Sequence, residues 1–106
     1  MSEEPDRYVD VLHPLTRDQE AIATRLNALW KVQQQAETIF QPFADEKIVK
    51  ALLRMRTKFE DGHRALIWDD RPRGDQAIRQ IEGALTELRG IGKQMNMQLI
   101  DRMLQP

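Results

Sequence analysis

Few side chains in this chain have the type and spacing to do chemistry. His63 stands in the run Glu60-Asp61-Gly62-His63-Arg64, where an imidazole beside a guanidinium invites a phosphoryl relay and the acids invite a metal. A relay needs a solvent-facing imidazole with a basic group one turn on, and that place is taken here by Leu66, followed by Ile67. A metal needs ligands that converge on one point. Residues adjacent on a helix instead splay around its axis by about 100° each. His13 precedes Pro14 and reads as a loop residue. The chain has no cysteine, which excludes disulfides, thiolate metal sites and cysteine nucleophiles. No cofactor or metal is expected.

Two charged features point toward partners rather than catalysis. Lys47, Lys50, Arg54 and Lys58 recur every three or four residues, so they form one stripe on a helix, with Arg56 and Arg64 nearby. Such a stripe suits an anionic partner, nucleic acid included. It carries no interleaved aromatics on which bases could stack. The whole chain balances 16 Lys and Arg against 17 Asp and Glu, without the basic excess that phosphate binding usually brings. A solvated face, with the alkyl stems covering apolar surface, is therefore the favoured reading of the stripe. The second feature is Trp68 before Asp69-Asp70-Arg71-Pro72-Arg73. It either caps the end of a domain or, with Arg71 and Arg73, anchors a partner.

The elements that must position these residues are legible from hydrophobic periodicity. A chain of 106 residues, 41% hydrophobic and 31% charged, suits one globular domain. Pro5, Pro14, Pro42 and Pro72 divide it. The expected class is all-α: an antiparallel three-helix bundle with helices at about 16–41, 44–69 and 75–104, and a head over 1–15 that is a short helix or extended. The head would place Tyr8, Val11, Leu12 and Leu15 on one face. Thr16 and Gln19 fit a capping box at the start of the first helix.

Three apolar seams follow. Ile22, Leu26, Leu29, Gln33, Ala36 and Phe40 make the first, and Ile48, Leu52, Met55, Phe59, Gly62 and Leu66 the second. Ile78, Ile81, Leu85, Leu88, Gly92, Met95 and Leu99 make the third. Glu60-Asp61-Gly62-His63 is the weak point of the second helix, and the unbroken register from Phe59 to Leu66 favours continuity. Short joints make neighbouring helices antiparallel. Ile22 then meets Leu66 and Ile78, and Leu26 meets Gly62 and Ile81. Leu29 or Trp30 meets Phe59 and Leu85, and Gln33 falls level with Met55 and Leu88. Ala36 and Gly92 face Leu52, and Phe40, Ile48 and Met95 close the far end. Gln33 either enters its layer or turns outward while Val32 or Trp30 fills it. The seams are apolar apart from this one amide, which argues against chemistry built from charged groups inside a bundle.

A third helix reaching 104 outlasts the core it serves. Leu99, Ile100, Met103 and Leu104 would project past the bundle end, and an exposed cluster of that size calls for a cover. The expected function is accordingly a non-enzymatic protein–protein interaction module, in the manner of an adaptor, secretion-type chaperone, inhibitor or phage accessory protein. It is expected to self-associate through that overhang, most simply as a homodimer, and the three-four alternation of the third seam is that of a coiled coil. The alternative is a nucleic-acid-associated regulatory protein using the lysine and arginine stripe. A lesser alternative is a phosphorelay component or other enzyme centred on His63. The acidic first residues lack a signal-peptide h-region and no apolar run spans a bilayer, so a soluble, cytoplasmic protein is expected.

Overall fold

The computed structural model describes residues 14–105. Three long helices run antiparallel in sequence: α1 (Arg17–Phe40), α2 (Glu46–Ile67) and α3 (Arg71–Gln94). A single-turn helix, α4 (Ile100–Met103), follows. The all-α three-helix bundle is therefore the fold. Of the head expected over 1–15, Tyr8, Val11 and Leu12 lie outside the described residues; Leu15 is partly buried and packs on the core.

Each helix starts where a side chain can satisfy its first backbone donors. The Thr16 hydroxyl accepts from the Gln19 N–H at 3.0 Å, and the Gln19 side chain accepts from the Thr16 N–H at 3.0 Å. Asp45 accepts from the N–H groups of Lys47 and Ile48 at the start of α2. Helix α3 begins four residues earlier than the spacing suggests, because Asp70 accepts from the Arg73 N–H and Pro72 sits in the first turn. A proline there removes an N–H that has no intrahelical partner anyway.

The ends of α2 and α3 share one device. Asp69 (φ 54°) and Asn96 (φ 63°) take the left-handed conformation just beyond the cap. Behind Asp69, the Asp70 N–H donates to the Ala65 carbonyl at 2.8 Å and the Asp69 N–H to Leu66 at 3.1 Å. Behind Asn96, the Met97 N–H donates to the Gly92 carbonyl at 2.9 Å and the Asn96 N–H to Lys93 at 3.0 Å. Both are Schellman pairs, which end a helix and turn the chain.

This second turn corrects the expected overhang. Helix α3 stops at Gln94, and the chain folds back so that Ile100 (1% exposed) and Leu104 (0%) enter the core. Met95, expected to close the far layer, is instead the exposed cap residue of α3. Gly92, expected to face Leu52, faces Ile100.

The rest of the core follows the seams. Ile22, Leu26, Leu29, Ala36, Phe40, Ile48, Leu52, Met55, Phe59, Leu66, Ile78, Ile81, Leu85 and Leu88 are all buried. Helix α2 runs unbroken through Gly62, where a Cβ would lie 3.0 Å from Leu26 Cδ2. Val32 and Gln33 are both buried, so the seam glutamine belongs to the interior. Helices α2 and α3 approach each other most closely, and both bury small side chains, among them Ala51, Gly62 and Ala65 on α2 and Ala77 and Ala84 on α3.

Candidate functional site

The described residues present two surfaces with exposed apolar side chains, one at each end of the bundle. The first is built by α4. Its turn is held against α3 by polar contacts: Arg89 Nη1 donates to the Leu104 carbonyl at 2.9 Å, and Lys93 Nζ pairs with Asp101 at 2.9 Å. With Ile100 and Leu104 turned inward, the helical period turns Leu99 (57% exposed) and Met103 outward. They share a shallow depression of about 540 Å³ with Gln35, Arg102 and Gln105. Phe43 in the α1–α2 joint, Val49 in the first turn of α2 and Met95 at the cap of α3 are exposed at the same end.

The four residues of the expected overhang thus divide into a core pair, Ile100 and Leu104, and an exposed pair, Leu99 and Met103.

The second surface lies between α2 and α3 at the opposite end. A groove of about 300 Å³ runs over Ala65 and Ala77, with Lys58, Asp61, Arg64, Trp68, Arg73, Gln76 and Gln80 along its sides. Trp68 is 67% exposed. The expected trio of Trp68, Arg71 and Arg73 is divided by the fold. Trp68 and Arg73 line this groove, whereas Arg71 faces α1, pairing with Asp18 at 3.2 Å and Asp75 at 3.0 Å. The hydrogen bond to Asp75, followed by its charge, raises the Arg71 pKa above the ordinary guanidinium value, and Asp18 adds to it. Three further arginines, Arg17, Arg25 and Arg79, line the α1–α3 groove on this side together with Glu20, Asp75 and Glu82; Arg25 and Glu82 are ion-paired across it.

The basic stripe is charge-compensated. Lys50 pairs with Glu46 at 3.2 Å, Arg54 with Glu87 of α3 at 3.6 Å and Lys58 with Asp61 at 3.3 Å; Lys47 is exposed at the start of α2. Phosphates would have to compete with a carboxylate at three of its four positions. His63 is exposed on α2, and its neighbour Arg64 pairs with Asp61 at 3.1 Å. Among the described residues no group of three His, Asp or Glu could hold a metal ion. No helix among them is long and apolar enough to cross a membrane.

One polar cluster escapes sequence reasoning. Gln33 Nε2 donates to Glu37 Oε2 at 2.8 Å, and Glu37 is gripped from α2 by Arg56 Nε at 2.7 Å and Nη2 at 2.6 Å. The hydrogen bond to Glu37, then its charge, raises the Arg56 pKa above the usual value. The four-residue spacing of Gln33 and Glu37 was the available signal, since it puts both on one face of α1. Beside them Trp30 and Phe59 meet edge to face, with ring centroids 5.6 Å apart.

No family model matches the chain, and no curated protein or solved structure matches it.

Proposed function

We propose that this protein is a non-enzymatic protein–protein interaction module of the cytoplasm that self-associates through the α4 end of its bundle. The observation that carries this reading is the distribution of exposed apolar side chains. Phe43, Val49, Met95, Leu99 and Met103 are five of the eight large apolar residues exposed among the described ones, and all five sit at that end. Leu99 and Met103 among them share one depression, and adjoining apolar exposure favours burial against a partner, whereas scattered exposure does not.

A second copy is the partner the surface suits. Gln35, Arg102 and Gln105 supply a polar rim around Leu99 and Met103. A formal net charge of −1 leaves little long-range repulsion between copies. A two-fold arrangement would then bury the same patch on both chains.

Sedimentation of the wild type beside Leu99→Asp and Met103→Asp tests the proposal. Both positions are exposed, so the substitutions leave the core intact. The wild type is expected to shift from monomer to dimer with concentration, and both variants to stay monomeric. A wild type that is monomeric at every concentration, or variants that dimerise as well as the wild type, would overturn it.

A further inference from the structure

The groove between α2 and α3 at the opposite end carries a second surface, independent of self-association. Its floor is two methyl groups, those of Ala65 and Ala77, because α2 and α3 approach closely there. Three cations line it, Lys58, Arg64 and Arg73, against a single lining carboxylate, Asp61. Asp61 is shared, holding Lys58 at 3.3 Å and Arg64 at 3.1 Å, while Arg73 leans on Asp70 from outside the groove at 3.4 Å. One carboxylate therefore spans two cations, and each guanidinium keeps donors to spare, since a guanidinium has five. Trp68 adds a large exposed ring at one end, and Gln76 and Gln80 add amides along one wall.

We propose that this groove binds an acidic peptide segment of a partner protein. Its carboxylates would meet Arg64, Arg73 and Lys58, and an apolar side chain would pack on Trp68. Arginine forks match carboxylates in two-bonded geometry, and the glutamine amides can pair with the peptide backbone. The groove favours a peptide over nucleic acid. A short peptide can use the donors that Asp61 and Asp70 leave free on Lys58, Arg64 and Arg73, whereas the stripe leading away along α2 is matched by Glu46 and Glu87, so a long repeating phosphate backbone meets no continuous positive track.

The test uses the full chain carrying Trp30→Phe, so that tryptophan emission reports Trp68 alone. A short glutamate-rich peptide with one central leucine is titrated in, with a single-stranded oligonucleotide as the competing arm. The expected result is a saturable change in emission that weakens several-fold as salt rises and disappears in Arg64→Gln plus Arg73→Gln. Both arginines are exposed, and circular dichroism of that variant verifies the fold. Absence of a saturable change, a change that survives the double substitution, or tighter binding of the oligonucleotide than of the peptide would each overturn the proposal.

Discussion

Ile100 rests on the bare backbone of Gly92: a Cβ placed on that glycine would lie 2.6 Å from Ile100 Cγ1. The contact lets α4 dock on the end of α3 and complete the core. Gly92→Ala is therefore expected to destabilise the protein by about 1–3 kcal/mol, the usual cost of forcing extra volume into a packed site. Gly90 is two residues away, exposed, with nothing within 4 Å of the same position. Gly90→Ala should stabilise by up to roughly 1 kcal/mol through helix propensity alone. Urea unfolding of the two variants should give opposite signs; equal shifts would mean that Ile100 does not press on Gly92.

Asn96 decides where α3 ends. At φ 63° a branched side chain is strained and glycine is not. Asn96→Val is expected to cost about 1–2 kcal/mol, and Asn96→Gly to be neutral or slightly stabilising. Because Leu99 and Met103 ride on the turn that follows, Asn96→Val should also weaken self-association. Thermal unfolding and sedimentation of the pair check both effects.

Gln33 and Glu37 should respond unequally to substitution. Gln33 is 5% exposed and spends its amide donor on Glu37. Glu37→Ala strands that buried amide and is expected to cost about 1–3 kcal/mol. Gln33→Leu removes the buried polar group itself and leaves Glu37 with Arg56, so it should be neutral or stabilising. Denaturation of each single variant distinguishes them; a large loss from Gln33→Leu would instead assign the glutamine a role in fixing helix register.

Sequence alone determined the parts of this protein that local rules control. The three-four spacing of Ile22 through Phe40, Ile48 through Leu66 and Ile78 through Leu88 marked the buried faces, because a helix repeats every 3.6 residues whatever it packs against. The Thr16–Gln19 box was legible for the same reason: its partners are three residues apart in the chain.

The tertiary structure decided the rest. The apolar seam beyond Gly92 continued in helical register, and nothing periodic separated a longer helix from a reversal. The outcome depended on Asn96 accepting a left-handed backbone and on Ile100 finding the gap over Gly92, a fit between surfaces that pattern cannot express. Trp68, Arg71 and Arg73 were likewise neighbours in the chain but not in space. The turn at Asp69 and the early start of α3 sent Arg71 toward Asp18 and left Trp68 with Arg73 beside the cations of α2. Which residues share a surface is set by how helices pack, and that is where both candidate interfaces of this protein arise.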